Sequence, residues 1–573
     1  MERLNPIYTE ETECQDCYKC VRYCPVKAIK VVNGSAKIIP ELCIHCGTCV
    51  DICPAGAKKI RNDLHLAQNV LKQKEKTIVS LAPSYVSHFA DLSAEQLISS
   101  IKKLGFFGVS ETAIGAEIVS SGCAEILINS DSGVFISSAC PVVNRFIYKY
   151  YPEYKEQITK VVSPVQAHSK FLREKYGDSI GIVFISPCIA KKDEVKSDKN
   201  YMDVSITFED LEKWFAEESI DIFNINPNGD DRFIPHEAEE GTLYPIESGM
   251  IEGIKSNRKL DDVTFLSLSG ITNMGTILAG LDKYSNRKIF LELLSCEGGC
   301  INGPRINKDL GIGRRAIDVK LSARYPKSDE ARKLSFDIST DFEIEQKINR
   351  TFTDREINET LKSIGKYRFM DELNCGGCGY DNCRNFAVAM LDGRAESNMC
   401  VSYMRKLAMN KANALIRKIP AGVVIVNEKL RIIECNKHFV KIAGESAEIV
   451  HQVNPGLENA LLERIIPFSN YFANMLNSKE DELTKTIRID NRILKLSLFT
   501  IEKKRIIGAI VQDITNPYVQ RDHVINKARE VIHKNLNTVQ QIAFLLGENA
   551  SESEILLEQI IDSFSPENDE DMS

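Results

Sequence analysis

The chain has 573 residues, which exceeds what a single hydrophobic core usually organises and therefore favours three or more domains. Hydrophobic residues make up 43% and charged residues 27%, as in globular proteins, and a formal net charge of −8 without a cluster of Lys and Arg argues against a nucleic-acid partner. The sequence shows no signal-peptide pattern and no apolar stretch near the roughly 18 residues that a membrane span needs, so we expect a cytoplasmic protein without a membrane span.

Cysteines divide the chain into segments. There are 18 of them, and all but Cys123 and Cys435 fall into three groups. Disulfide scaffolds are small and secreted, whereas clustered thiols in a large chain without an export signal indicate bound metal. Together with changes in hydrophobic pattern, the groups predict a multidomain α/β protein with five segments, which are residues 1–62, 63–365, 366–405, 406–516 and 517–573.

The first segment contains two copies of the run C-x2-C-x2-C-x3-C-P. The copies are Cys14, Cys17, Cys20, Cys24 and Cys43, Cys46, Cys49, Cys53. This repeat resembles bacterial ferredoxins, in which the fourth cysteine of each run ligates the cluster of the other run. One [4Fe-4S] cluster is therefore assigned to Cys14, Cys17, Cys20 and Cys53, and a second to Cys43, Cys46, Cys49 and Cys24. The alternative is a pair of zinc knuckles, which usually show two C-x2-C pairs instead.

The second segment alternates short apolar runs with helical patterns, as α/β domains do. Strands are predicted at residues 77–82, 134–137, 181–186, 263–268 and 288–291. A capping box of Ser93 and Gln96 predicts the start of a helix. Three of the strands end within a few residues of Cys140, Cys188 or Cys296. Because sites in open α/β sheets lie beyond the carboxyl ends of the strands, we expect these cysteines to converge.

The third segment holds four cysteines spaced C-x2-C-x4-C-x16-C, which are Cys375, Cys378, Cys383 and Cys400. Glycines around Cys378 allow backbone amides to approach the sulfurs of a cluster. Four thiolates also suit zinc, but the company of other clusters favours a further [4Fe-4S] cluster here.

The fourth segment resembles a PAS sensor domain. A hairpin with strands at 422–426 and 430–433 is followed by a helix beginning at Asn436, then by three strands that end at Asp513-Ile-Thr515. The ligand of a PAS pocket cannot be named from this sequence, and Cys435 is expected to be a packed thiol.

The fifth segment, residues 517–573, carries amphipathic helical patterns broken at Gly547. It resembles the dimerisation stem of histidine kinases and predicts a helical hairpin that forms a homodimer. His533 lacks the acidic neighbour and the proline of a phosphoacceptor site, so we expect a solvated helix histidine.

Three motifs in the second segment identify a further resemblance. They are Ser137-Ser-Ala-Cys140-Pro, Ser186-Pro-Cys188-Ile-Ala-Lys191-Lys-Asp-Glu194 and Glu292-Leu-Leu-Ser-Cys296-Glu-Gly-Gly-Cys300. In this order they resemble the catalytic domain of [FeFe]-hydrogenases. The resemblance implies an H-cluster, in which a [4Fe-4S] cubane is joined through one cysteine to a diiron unit with CO, CN⁻ and a dithiolate.

The same resemblance implies roles for individual residues. The cubane ligands are Cys140, Cys188, Cys296 and Cys300, with Cys300 as the bridge to the diiron unit. Lys191 is implied to donate to one cyanide, Pro83 and Ser84 to contact the other, and Glu194 to be a buried partner for a charge.

The sequence departs from the active members of that family along the proton route. Ala139 stands where they have a proton-relaying cysteine, and their relay glutamates are absent, although Cys123 or Glu125 can partly substitute. Ser186 and Leu294 stand where methionines commonly pack on the diiron unit. These changes slow proton transfer without removing the metal site.

A slow site in one chain with a PAS-like domain and a stem resembles the sensory [FeFe]-hydrogenases. That resemblance implies H2 and protons, ferredoxin or another redox partner, the hydrogenase maturation enzymes, and a downstream kinase or phosphatase as partners. Two alternatives stay open. A ferredoxin-linked turnover hydrogenase is favoured by the N-terminal clusters and opposed by Ala139. An electron-transfer or assembly protein without a diiron site is opposed by Lys191 and Cys300.

Overall fold

The computed structural model describes residues 5–515, except residues 196–200, 257, 259, 327–331, 333, 334, 343–349, 479 and 491. These residues form two compact units, one made mostly of residues 19–353 and the other mostly of residues 354–515. No helix in the described ranges has the length and apolar character needed to cross a membrane. The predicted stem at 517–573, with His533, lies outside the described residues.

The ferredoxin-like segment is built on two small antiparallel strand pairs. Its elements are β1 (Ile7–Thr9), α1 (Lys19–Tyr23), β2 (Ile29–Val32), β3 (Ser35–Ile38), α2 (Thr48–Asp51) and β4 (Lys58–Ile60). Strand β1 pairs with β4 and β2 pairs with β3. The β2–β3 turn is Asn33-Gly34, with φ of 52° and 70°, which is the backbone that a two-residue hairpin with the usual strand twist requires.

The next part of the first unit alternates strands and helices. Its elements are α3 (Leu64–Gln73), β5 (Thr77–Leu81), α4 (Tyr85–His88), α5 (Ala94–Lys103), β6 (Gly108–Glu111), α6 (Ala113–Ile128), β7 (Gly133–Ile136), α7 (Pro141–Tyr150), α8 (Pro164–Tyr176), β8 (Gly181–Ser186), α9 (Lys191–Glu194), β9 (Val204–Thr207), α10 (Phe208–Glu217), α11 (Gly249–Ser256), β10 (Thr264–Ser269), α12 (Met274–Leu278), β11 (Lys288–Leu294) and α13 (Ile312–Ser322).

Two parallel sheets organise this part, with strand orders β6-β5-β8-β9 and β10-β11-β7. All five predicted strands are confirmed within a few residues, and β8 has its predicted bounds. Strands β6 and β9 were not predicted. Each has only four residues, and two of the four residues of β9 carry hydroxyl groups, so neither strand shows a clear apolar run. Every residue of β5 and β8 is buried, as expected for parallel strands covered on both faces.

The predicted capping box at the start of α5 is confirmed. The Oγ of Ser93 accepts a hydrogen bond from Gln96 N at 3.2 Å, and Gln96 Oε1 accepts one from Ser93 N at 3.0 Å. Thr207 and Asp210 form the same reciprocal pair at the start of α10. These bonds satisfy backbone amides that have no partner within the helix.

The second unit contains a helical segment and a five-stranded antiparallel sheet of order β13-β12-β16-β15-β14. Its elements are α14 (Asp354–Ser363), α15 (Cys383–Leu391), α16 (Val401–Lys418), β12 (Gly422–Asn427), β13 (Ile432–Cys435), α17 (Lys437–Ala443), α18 (Glu445–Val453), α19 (Asn470–Asn477), β14 (Glu482–Ile489), β15 (Arg492–Glu502) and β16 (Ile506–Asp513).

The predicted order of hairpin, helices and three strands is confirmed, with one shifted boundary. The strand expected at 430–433 begins at Ile432, because Leu430 lies in the turn with φ of 51°. The side-chain oxygen of Asn427 holds that turn by accepting hydrogen bonds from the amides of Lys429 and Arg431, both at 3.0 Å.

Candidate functional site

A cavity of about 120 Å³ lies in the first unit where the loops after β5, β7, β8 and β11 meet. Four cysteines on three of these loops line it, which are Cys140, Cys188, Cys296 and Cys300. The structure thus brings together the three cysteines that were expected to converge from the strand pattern, and it places beside them Cys300, the fourth ligand that the family resemblance implies. Parallel strands direct their following loops to the same edge of a sheet, which explains why distant segments meet here.

The thiols of these cysteines influence one another electrostatically. Burial, together with the neighbouring Cys140, raises the pKa of Cys188 to about 11. Burial likewise raises the pKa of Cys300 to about 12, with Cys188 and Cys140 adding to the effect. The exposed surface of Cys300 faces this cavity, so its thiol is accessible to a bound group but surrounded by protein.

Lys191 also lines the cavity, and a buried ion pair fixes its position. Its Nζ lies 2.7 Å from Glu194 Oε1, one helical turn along. Glu194 Oε2 accepts a hydrogen bond from Ser163 Oγ at 2.7 Å. With both carboxylate oxygens occupied in this way, Glu194 holds a single cation at the cavity wall.

Pro83 and Ser84 line the wall at the end of β5. Ser84 is 1% exposed, and its Oγ has no hydrogen-bond partner among the residues that the structure describes. A buried hydroxyl without a partner is costly, so this group fits an acceptor on a bound ligand. Four thiols, one ammonium and one free hydroxyl together fit an H-cluster, whose iron takes thiolates and whose cyanides accept hydrogen bonds.

The residues considered as substitutes in the proton route lie elsewhere. Ala139 borders the cavity, whereas Cys123 and Glu125 are not among the described residues that line it. Cys123 is buried and hydrogen-bonded to Thr159, and burial raises its pKa to about 12. Glu125 pairs with Arg258 at 3.4 Å. Neither side chain therefore replaces the missing cysteine.

Two polar residues near the cavity, Tyr244 and Glu292, were given no role in the analysis of the sequence. Tyr244 lines the wall, and its Oη is 2.8 Å from Ser120 Oγ. Glu292 in β11 is 1% exposed; its Oε1 accepts a hydrogen bond from Met250 N at 3.3 Å, and Oε2 has no partner in the described part of the chain. Burial raises the pKa of Glu292 to about 7. The sequence feature that could have pointed to Glu292 is a charged residue inside the otherwise apolar run of β11.

The second ferredoxin-like site lies close to this cavity. Its four predicted ligands, Cys24, Cys43, Cys46 and Cys49, line a small cavity of their own. The negative charge of Cys46 contributes to raising the pKa of Cys296, which places the two sites within electrostatic range. Gly47 explains the close approach, because it has φ of 83° and an added Cβ would lie 2.6 Å from Pro304 Cβ. The grouping of Cys14, Cys17, Cys20 and Cys53 stays a prediction.

A buried group of four charges lies beside the loop that carries Lys191. Lys192 is fully buried, and its Nζ lies 3.0 Å from Asp210 Oδ2 and 3.6 Å from Asp63 Oδ2. It also donates to the carbonyl of Arg61 at 3.0 Å, while Arg61 Nε is 2.8 Å from Asp63 Oδ1. This charge quartet, Arg61, Asp63, Lys192 and Asp210, connects the chain just after β4 to the cavity loop.

The third cysteine group gathers in the second unit. Burial raises the pKa of Cys378 to about 11. The charges of the other three cysteines, Cys400, Cys375 and Cys383, contribute to this shift. Gly377 lies between two of them, and an added Cβ would be 3.0 Å from Val401 and 3.7 Å from Cys375 Sγ.

Comparison with known families accounts for these sites. The profile of the iron only hydrogenase large subunit, C-terminal domain, matches residues 75–304 and so spans the loops that line the larger cavity. The chain carries an iron-only hydrogenase domain. Around that domain, residues 6–54 match a 4Fe-4S dicluster domain, residues 370–402 an Fe-S cluster segment, and residues 410–487 a PAS domain.

Individual proteins that are similar to this chain are hydrogenases. Iron hydrogenase 1 from Clostridium pasteurianum is 24% identical over 393 residues, which is 56% of this chain and 68% of that protein. The solved structure of a variant of the [FeFe]-hydrogenase HydA1 from Chlamydomonas reinhardtii has 16% identity and a TM-score of 0.36, and covers 48% of this chain and 90% of that chain. The protein is thus a multidomain α/β, iron-only-hydrogenase-like protein with a ferredoxin-like 4Fe-4S domain and a PAS domain.

Proposed function

We propose that this protein is a sensory [FeFe]-hydrogenase, which binds and slowly, reversibly oxidises H2 and signals through its PAS domain. The observation that carries the proposal is the cavity that combines Cys140, Cys188, Cys296 and Cys300 with Lys191, bordered by Ala139 instead of a titratable residue. The same chain contains a PAS domain, whose family serves widely in sensing.

The side chains of the cavity bind and orient the cofactor. When bound, an H-cluster supplies an iron site for H2 and a base for its proton. The four cysteines would hold the cluster, with Cys300 in the bridging role that the family resemblance implies. Lys191, oriented by Glu194 at 2.7 Å, would donate to one cyanide, and the unpaired Oγ of Ser84 would donate to the other.

Proton transfer limits the proposed rate. Ala139 can neither accept nor donate a proton, so the step that a cysteine performs at this position in active enzymes has no direct substitute. Glu292 is a candidate for holding a proton, since its pKa of about 7 lets it change charge near neutral pH. Its carboxyl is not part of the cavity wall, so transfer through it requires an intervening group and is slow.

Cys24, Cys43, Cys46 and Cys49 would hold a cluster that accepts electrons from the larger cavity, because Gly47 packs against Pro304 and Cys46 influences the ligand Cys296. The other cluster assigned to the N-terminal segment would pass electrons on to a ferredoxin or another redox partner. The proposal also includes a downstream kinase or phosphatase as signalling partner. It further includes a homodimer formed through residues 517–573 and a cytoplasmic location.

Infrared spectroscopy tests the proposal most directly. The protein is expressed anaerobically with the hydrogenase maturation enzymes, and spectra are recorded under argon and then under H2. We expect CO and CN⁻ bands that shift with H2. A protein with full cubane iron and no such bands would instead be an electron-transfer or assembly protein.

The variant Ala139→Cys separates a slow sensor from a turnover enzyme. If proton transfer limits the site, restoring a thiol raises the H2 oxidation rate by at least tenfold, whereas the matched variant Ala139→Ser gives a much smaller gain because a hydroxyl is a poor acid. An unchanged rate in Ala139→Cys contradicts the assignment of the slow step. Partner kinase or phosphatase activity that is the same with and without H2 contradicts the sensory role.

A further inference from the structure

Helix α16 joins the third cysteine group directly to the PAS domain. Cys400 is the residue at which the helix is capped, and its carbonyl accepts a hydrogen bond from Met404 N at 2.9 Å. The helix then runs 18 residues to Lys418, and β12 begins at Gly422. A displacement at Cys400 therefore reaches the PAS sheet through one continuous helix, whose amides at the first turn also point toward the cysteine group.

A buried lysine stands beside the same cysteine. Lys366 is 6% exposed, and its Nζ donates to the carbonyl of Asp371 at 2.8 Å and to Ser402 Oγ at 3.5 Å. Ser402 Oγ in turn lies 3.4 Å from Cys400 Sγ. A buried ammonium at this place favours the more negative, reduced state of a cluster held by Cys400, because the potential of an iron-sulfur cluster depends on nearby charge.

At the other end of α16, one side chain of the PAS domain makes hydrogen bonds to the helix and to the elements that follow it. Asn436 is 1% exposed, and its Nδ2 donates to the carbonyls of Ile416 at 2.8 Å and Ala421 at 2.7 Å. Its Oδ1 accepts hydrogen bonds from Val423 N at 2.9 Å and Phe439 N at 2.8 Å. One amide therefore connects the last turn of α16 to the first residues of both β12 and α17.

Apolar packing supports this connection. Ile416 and Ile419, at the end of α16, pack against a separate cluster of the PAS domain that consists of Ala421, Val423, Phe499 and Ile510. The end of the helix thus rests on β12, β15 and β16 together. Packed elements of this kind move as units, so a shift of α16 is passed to the sheet.

We infer that the PAS domain reads the redox state of the cluster held by Cys375, Cys378, Cys383 and Cys400, with Lys366 setting its potential and α16 and Asn436 transmitting the change. This inference rests on the proposed function, in which H2 oxidation supplies the electron. One-electron reduction adds one negative charge to the cluster, no bond to protein breaks, and Lys366 with the first turn of α16 balances the charge. The resulting shift moves the carbonyl of Ile416 that Asn436 holds.

The test is a redox titration of the full chain with dithionite and mediators. Electron paramagnetic resonance gives the midpoint of the cluster, identified as the signal lost in Cys378→Ser, and hydrogen–deuterium exchange follows the amides of β12 and α17 in the same samples. We expect both readouts to change at one midpoint. A PAS domain whose exchange does not respond to dithionite, or responds equally in Cys378→Ser, overturns the inference.

Two variants separate the parts of the path. Lys366→Met is expected to shift both midpoints together to lower potential, whereas Lys406→Met, which removes an exposed charge on α16, leaves both within error. Asn436→Asp keeps the two acceptor bonds and loses both donor bonds, so the cluster midpoint stays unchanged and the exchange response is lost. An unaltered midpoint in Lys366→Met, or an unaltered response in Asn436→Asp, contradicts the corresponding step.

The same samples distinguish this inference from the proposed function. If dithionite changes the exchange of the PAS domain and H2 does not, the redox path stands and H2 sensing is wrong. If H2 reduces the cluster and the exchange of β12 and α17 stays constant, the hydrogenase stands and the path through α16 is wrong.

Discussion

Replacing Lys192 by methionine should strongly destabilise the first unit, although Lys192 is not in the cavity wall. The side chain is fully buried, and its Nζ lies 3.0 Å from Asp210 Oδ2. At that separation and an effective dielectric constant of about 20, the attraction between two unit charges is about 5.5 kcal/mol. Removing one partner leaves Asp210 charged and buried, which typically costs roughly 3–5 kcal/mol. Thr207 N still donates to Asp210 Oδ2 at 2.9 Å and partly stabilises the remaining charge. We therefore expect Lys192→Met to lower the free energy of unfolding by about 3 kcal/mol, the lower end of that range.

The measurement is an anaerobic urea titration followed by the fluorescence of Trp214, the only tryptophan of the chain, which is buried on α10 with Asp210. Asp210→Asn and the double variant complete a cycle, and the double variant should lose less than the sum of the single variants. Lys37→Met is the matched control, because Lys37 pairs with Glu11 at 2.7 Å with both side chains exposed, and such pairs contribute about 0–1 kcal/mol.

Equal losses for Lys192→Met and Lys37→Met, or strict additivity in the cycle, would refute the reasoning. The pH dependence gives a second check. The pKa of Asp210 is lowered in spite of burial because Lys192 and the Thr207 hydrogen bonds stabilise its charged form. A group with a lowered folded pKa stabilises the protein above its unfolded pKa and loses that contribution as pH falls. Lys192→Met should therefore lose most stability, relative to the wild type, at neutral pH and least in acid.

Three further outcomes are expected. Gly47→Ala should cost roughly 1–3 kcal/mol more in the same urea titration than Gly56→Ala, because both have positive φ but only Gly47 has neighbours within 4 Å of the added Cβ. Glu292→Gln should be more stable than the wild type by up to about 3 kcal/mol above pH 7, since burial raises the pKa of Glu292 to about 7 and its ionisation opposes folding as pH rises from 4.5; equal stability at pH 8 would contradict this. Ser84→Ala should shift one cyanide band of the matured protein and leave the other, whereas Ser87→Ala, which removes a bond to the Arg315 carbonyl, should shift neither.

Much of the fold was readable from local pattern. The PAS domain shows this best, because its alternating strands and the Asn436 cap follow from residues close together in sequence. The shifted start of β13 was not readable, because it depends on Asn427 closing the turn and placing Leu430 in a left-handed conformation. Strands β6 and β9 were not predicted, because they form by pairing with the buried strands β5 and β8 and have no clear local pattern of their own.

By itself the sequence determined the chemistry of the sites. Sixteen of the cysteines stand in three groups, two of which have spacings typical of iron-sulfur ligands, and Ala139 and Lys191 stand in the motifs that resemble [FeFe]-hydrogenases. Thiolate ligands are a property of residue type and spacing, so they are visible before folding. Glu194 was expected only as a partner for some charge, and its partner, Lys191, is named by the structure.

Only the tertiary structure decided which groups near the cavity are close enough to act on one another. Cys46 and Cys296 are 250 positions apart, and their proximity depends on Gly47 packing against Pro304. Tyr244, Glu292 and the charge quartet likewise depend on burial and on separations of a few ångströms. Such distances are set by the packing of whole elements, which no local pattern encodes.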